Sequence, residues 1–233
     1  STQGVSSAAS DVYKRQYFRY RGTCGDAVNS LLGAISSPVR WSQASLPRAL
    51  TTEEVQRLEA HCAEAKRAPL RLLAMVRLAL DLGLRVGEIA KLEIGDFDWR
   101  AGTVTLKRTK SQRQDVLPLP VLTGQALAEY MRHERPATTL PSLFVRRLAP
   151  HDKPIGVDAV SQAIGRALRG AGISRGCHSL RHTLACRLVN SGSSIKEVAD
   201  VLRHRSLDTS LIYAKLDLQL LAEVALPWPG SAS

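Results

Sequence analysis

One block of this chain switches its apolar spacing from helical to alternating, and that switch limits the fold more than any other feature. Thr103-Val104-Thr105-Leu106 and Asp115-Val116-Leu117-Pro118-Leu119 have a period of two and are joined by the polar turn Arg108-Thr109-Lys110-Ser111-Gln112-Arg113. Phe97-Asp98-Trp99, just upstream, supplies a third short strand to pair with the first. Three strands of this length make a small antiparallel sheet, and the segments around it read as helices. The expected fold class is therefore mainly α with a small antiparallel β-sheet, an α+β arrangement.

The helical segments carry their own punctuation. Thr51 and Glu54 form a capping box, in which each side chain satisfies an orphan amide at a helix start, and Val55, Leu58 and Cys62 follow on one face. A second helix spans roughly Ala68 to Leu82 and stops at Gly83, and another begins near Val86 and runs through Leu92. Beyond the sheet, helices are expected at about 123–133, 157–171, 178–191, 194–203, 206–213 and 216–225. Residues 1–16 show neither period and read as a non-native or disordered leader. Residues 17–47 mix basic and apolar positions and read as the remnant of a preceding helical domain with its linker; a second domain occupies 48–233.

The 233 residues hold 32 Lys+Arg against 21 Asp+Glu, a formal charge of +11. Such a balance says little about fold, but it favours a polyanionic partner, of which nucleic acid is the commonest. With only 5% aromatic residues, the chain lacks the rings needed to stack single-stranded bases. Cys24, Cys62, Cys177 and Cys186 show no paired spacing and follow no secretory signal, so reduced thiols in a cytoplasm are expected. Cys177, His178 and His182 are close in sequence but lack the further ligands of a zinc site, and no metal is assigned. The apolar stretch from Leu70 to Leu84 is broken by Arg71, Arg77 and Asp81, which makes it a buried helix and not a membrane span.

Six polar side chains suit covalent attack on a phosphodiester. Arg85 and Arg181 can neutralise the charge that shields phosphorus, because a guanidinium binds two oxygens at once and keeps its proton. Tyr213 is the candidate nucleophile, and it must lose its proton during attack because a free phenol has a pKa of about 10. His178 or His204 can accept that proton or bond the phosphate oxygens. Lys110, at the hairpin tip, can reach in to protonate the leaving 5′ oxygen. These side chains supply the positive charge without a metal ion or cofactor. Each alone has an ordinary reading: a solvated helix cap, a core tyrosine, a soluble turn. Their order carries the weight, with Arg85, the hairpin lysine, His178-x-x-Arg181, His204 and then Tyr213 nine residues later.

Over about residues 47–226 the chain resembles the tyrosine recombinase, or phage integrase, family. Gly83-Leu84-Arg85-Val86-Gly87-Glu88 is similar to the family's first arginine motif, with Glu88 as its supporting acid. Lys110 matches the hairpin lysine, and His178-Ser179-Leu180-Arg181-His182-Thr183 the H-x-x-R box. Leu202-Arg203-His204-Arg205-Ser206 is similar to the Leu-Gly-His segment, and Tyr213 falls at the nucleophile position. Arg203 departs from the usual glycine and adds positive charge beside the site. The resemblance implies a site-specific recombinase that cuts and rejoins duplex DNA through a 3′-phosphotyrosine, without ATP or metal. It implies DNA contacts from Lys107, Arg108, Arg113, Arg203 and Arg205. It also implies a homotetramer on two DNA sites, with C-terminal segments passed between neighbours; Leu218, Leu221 and Val224 line one face of a terminal helix suited to that. Family members usually carry a helical DNA-clamping domain in front, of which residues 17–40 would be the end. The ending Ala225-Leu226-Pro227-Trp228-Pro229 is similar to integrases of mobile elements, so integration or excision is the expected role.

Two rival readings remain open. A type IB topoisomerase shares the phosphotyrosine step but exchanges no partners. A non-catalytic helix-turn-helix regulator would explain Ser194 to Leu202 followed by a turn and Thr209, but leaves Arg85, Lys110 and Arg181 without a role.

Overall fold

A computed structural model of the chain describes residues 7–28, 49–107, 114–147, 153–203 and 213. The chain divides into two compact units, Ser1–Ser45 and Leu46–Ser233. The first contains helix α1, Ser7–Thr23. Residues 7–16, expected to be irregular, are thus helical. The segment Ser7 to Arg21 contains neither Gly nor Pro to break a helix, and Tyr17 and Tyr20 are exposed rather than marking a buried stripe.

The second unit opens with α2, Thr52–Ala63, capped as expected: the Glu54 amide donates to Thr51 Oγ1 at 3.2 Å and the Thr51 amide to Glu54 Oε2 at 2.9 Å. Its Val55, Leu58 and Cys62 are buried. Helix α3, Pro69–Asp81, starts with its proline at the first turn, where no intrahelical amide is needed, and buries Ala74, Met75, Val76, Leu78, Ala79 and Leu80. It is central, packing against α2, the short α4 (Val86–Ile89), α5 (Val121–His133), α6 (Val157–Gly170) and α7 (His178–Asn190). Helix α8, Ile195–Val201, follows α7 and begins with a second capping box, Ser194 with Glu197. No helix among the described residues is long and apolar enough to cross a membrane.

The sheet has the order β1-β2-β3, all antiparallel, with β1 at Phe97–Asp98, β2 at Thr103–Lys107 and β3 at Gln114–Pro118. Val104 pairs with Leu117, and Leu106 with Asp115. Val104 and Leu106 are buried and Leu117 packs on the same core, whereas Val116 faces outward at 61% exposure. The period of two thus separates a core face from an outer face. The turn joining β2 and β3, residues 108–113, lies outside the described residues, as do 204–212 and the expected helix at 216–225.

Most apolar side chains join one core around α3. A smaller cluster of Ala185, Cys186, Val189, Val198, Leu202 and Tyr213 sits between α7 and α8. Gly83 links the two. It ends α3 with φ of +60°, which an L side chain tolerates poorly, and a Cβ there would lie 2.9 Å from Leu202 Cδ2 and 3.0 Å from Leu184 Cδ2. Only a glycine lets the end of α3 approach α7 and the end of α8 so closely.

Candidate active site

That close approach creates the first element of the site. Arg181, on the first turn of α7, is buried and donates through Nη1 to the Gly83 carbonyl and through Nη2 to the Leu202 carbonyl. Two chain ends that have no helical partners for these oxygens therefore converge on one guanidinium. Burial, reinforced by Arg85 and Arg203, brings the Arg181 pKa down to about 10, with Glu88 opposing the shift. The side chain remains a cation at neutral pH, held where few solvent molecules can screen it.

Arg85 caps α4. Its amide donates to Glu88 Oε2 at 2.8 Å and its Nη1 to Glu88 Oε1 at 3.2 Å, with 42% of the side chain still exposed. Glu88 Oε2 also accepts from Arg203 Nη2 at 2.9 Å. Burial alone would raise the Glu88 carboxyl, but Arg203, the Arg85 amide, Arg85 and Arg181 override it and hold the group below the ordinary carboxylate range. Three guanidiniums thus surround one carboxylate, which leaves a surplus of positive charge. That surplus suits a bound anion.

Arg203 behaves differently from its expected role as a DNA contact. Its side chain is only 3% exposed and turns inward onto Glu88. Its φ of +53° lies in the left-handed region, where glycine is at ease and arginine is strained by about 1–2 kcal/mol. The buried ion pair offsets that strain. Glu88→Ala is expected to destabilise the protein by about 3–5 kcal/mol, because it removes the main counter-charge of the buried Arg203 and leaves only the weaker pull of Asp115. Arg203→Gly should cost less, since glycine fits the backbone, and the double variant should be less destabilised than the two single changes added together. Chemical denaturation of the four proteins measures that coupling; strict additivity would deny the pair.

Lys107, also expected at DNA, points to Glu93 at 3.0 Å and Asp96 at 2.9 Å, and Asp96, then Glu93, raise its pKa. Its charge is engaged by carboxylates of its own unit. Arg85, Glu88, Lys107, His178, Arg181 and Arg203 all line one open cleft of about 1260 Å³. That exceeds the roughly 300–1,000 Å³ of small-molecule pockets and suits a segment of a polymer. Lys110, Arg108, Arg113, His204 and Arg205 lie outside the described residues.

Tyr213 is 2% exposed, packed in the α7–α8 cluster. Burial pushes its phenol up to about 12, against a downward pull from Arg181 and with a small upward contribution from Cys186. Its hydroxyl lies 2.7 Å from His182 Nδ1, a residue that sequence reasoning did not select. The signal was available: His182 follows Arg181 directly and stands one turn after His178. His178 itself is exposed at the first position of α7, with its ring centre 6.4 Å from that of His182. Burial, with Glu59 assisting, raises the Cys62 thiol to about 12, and burial raises Cys186 to about 11, so neither offers a ready nucleophile.

The sequence profile of the phage integrase family matches residues 48–219. The integrase/recombinase y4rA of Sinorhizobium fredii is 37% identical over 219 residues, 93% of this chain and 52% of that protein. Tyrosine recombinase XerA of Pyrococcus furiosus is 30% identical over 179 residues, 77% of this chain and 61% of that protein. Among solved structures, the site-specific recombinase XerH bound to palindromic difH substrate, in a post-cleavage complex, superposes with a TM-score of 0.69 at 25% identity, covering 84% of this chain and 57% of that one. The chain spans about half the length of the relatives y4rA and y4rF, 52% and 56%. A mostly helical fold with a three-stranded sheet, a cationic cleft built on Arg85, Glu88 and Arg181, and a profile match over most of the sequence lead to one assignment: the chain belongs to the phage integrase family.

Proposed function

We propose that this chain performs the strand-cutting and rejoining step of a tyrosine-type site-specific DNA recombinase. The observation that carries the reading is the position of Arg181. It is held between the Gly83 and Leu202 carbonyls, lines one cleft with Arg85 and Glu88, and is near enough to Tyr213 to pull the phenol's pKa down. One guanidinium thus joins an anion-binding cleft to a buried phenol.

In this reading, a scissile phosphate enters the cleft and is held by Arg85 and Arg181. Tyr213 Oη attacks phosphorus and gives its proton to His178 or His204, the bond to O5′ breaks, and the 5′ oxygen leaves as a hydroxyl after receiving a proton from Lys110. The DNA 3′ end stays on Tyr213 as a phosphotyrosine. A 5′ hydroxyl of a partner duplex then attacks that linkage and restores both the phosphodiester and the free phenol. The other of these two histidines bonds the phosphate oxygens, and the arginines hold the charge added in the trigonal-bipyramidal transition state. Integration or excision of a mobile element, by a tetramer on two DNA sites, is the biological setting that fits the family.

Nicked suicide duplexes made from DNA flanking the gene test this directly. The expected product is a protein–DNA adduct that survives denaturation, with its peptide mapped to Tyr213. Specific binding without an adduct would instead favour the regulator. An adduct accompanied by supercoil relaxation, but never by joined products, would favour the topoisomerase.

A further inference from the structure

The hydrogen bond between Tyr213 and His182 is not required by any step above. Helix α7 presents consecutive residues to two different neighbours. Arg181 points to the Gly83 and Leu202 carbonyls, and His182, about 100° further round the helix, points to the phenol. The same helix is fastened at its start: Thr183 Oγ1 donates to the Ser179 carbonyl at 2.8 Å and accepts from the Leu50 amide at 2.8 Å. A group carried on this turn is held with the rigidity of a helix rather than of a loop.

We propose that His182 is a positioning residue for Tyr213, holding the phenol through Nδ1 at a fixed offset from Arg181. The inference rests on Tyr213 being the nucleophile, as proposed above. The roles within the bond follow from the charge states. Burial, with His178 and Arg181 adding to it, lowers the His182 pKa, so the ring is neutral at physiological pH and has one acceptor nitrogen. The phenol is protonated and therefore donates, which assigns Nδ1 as the acceptor and places the ring proton on Nε2. The rings meet at 5.7 Å between centres and 59°, so the contact fixes the direction of the Tyr213 hydroxyl as well as its distance. Attack on phosphorus depends on that direction: small misplacements of a reacting atom cost on the order of a hundredfold in rate.

The test compares His182→Ala, His182→Asn and His182→Gln in the full chain. An asparagine amide oxygen falls close to the position of Nδ1, whereas a glutamine oxygen falls closer to Nε2. At saturating suicide duplex, His182→Ala is expected to slow adduct formation by about tenfold to a hundredfold, with duplex affinity unchanged. Asparagine should recover most of the rate and glutamine little of it. Equal or faster adduct formation by His182→Ala, or equal rescue by both amides, would overturn the positioning role while leaving Tyr213 as nucleophile. Absence of an adduct from the unaltered protein would instead refute the recombinase reading. The contact is tested without DNA by the ¹³Cζ resonance of Tyr213, assigned by its loss in Tyr213→Phe. That resonance should shift in His182→Ala and return in His182→Asn; an unmoved signal would show that His182 does not hold the phenol.

Discussion

Tyr213→Phe is expected to bind duplex DNA as tightly as the unaltered protein and to form no covalent adduct at all. The change removes one oxygen and keeps the ring that packs with Ala185, Cys186, Val189, Val198 and Leu202. Among the described residues the hydroxyl's bond is to His182, and its loss costs about 1 kcal/mol. A large fall in stability would therefore point to a structural tyrosine, and a persisting adduct would exclude Tyr213 as its site. The same variant reads the phenol's pKa. Burial raises it from 10.0 to about 12, so the folded protein keeps a proton that the unfolded chain loses. That contribution to stability is fully present below pH 10 and disappears as pH rises towards 12. The Phe variant should lack this alkaline loss, and unfolding curves through that window measure the difference.

Legibility in the sequence followed the range of the forces involved. The Thr51–Glu54 box, the stop at Gly83 and the alternation in β2 and β3 are produced by residues within a few positions of each other, and each is present as expected. The gathering of Arg85, Glu88, Arg181 and His178 round one cleft was also legible, through order and spacing along the chain. What escaped were choices of partner made across the fold. Arg203 looks like a surface cation beside a phosphate, but Glu88, 115 positions away, draws it inward. Lys107 looks free until the turn Ile94–Asp96 brings Asp96, with Glu93, under its end. The bond from His182 to Tyr213 spans 31 residues: its place beside Arg181 marks His182 as a candidate, but nothing local names its partner. In α1 the failure was of a different kind: Tyr17 and Tyr20 are exposed, so they set no apolar stripe for periodicity to report.

Arg181→Ala is expected to reduce both rate and stability, and the two losses have separate causes. Without the guanidinium, the charge accumulating on the phosphate oxygens loses a buried donor, and adduct formation should fall by about 10²–10³. The carbonyls of Gly83 and Leu202 also lose their donors at the contact between the end of α3 and the end of α8, which should cost about 2–4 kcal/mol. Arg181→Lys separates the effects further. A single ammonium keeps the charge but cannot hold two carbonyls and a phosphate in one plane, so it should recover part of the stability and little of the rate. Arg85→Ala provides the contrast: that side chain is 42% exposed and its bonds go to Glu88, which keeps Arg203 as partner. Its rate should fall comparably with less loss of stability. Single-turnover adduct assays and thermal unfolding on the three variants give both coordinates. If Arg85→Ala proved the more destabilising, Arg181 could not be the cation on which the ends of α3 and α8 are tied, and the link drawn here between the cleft and Tyr213 would fail with it.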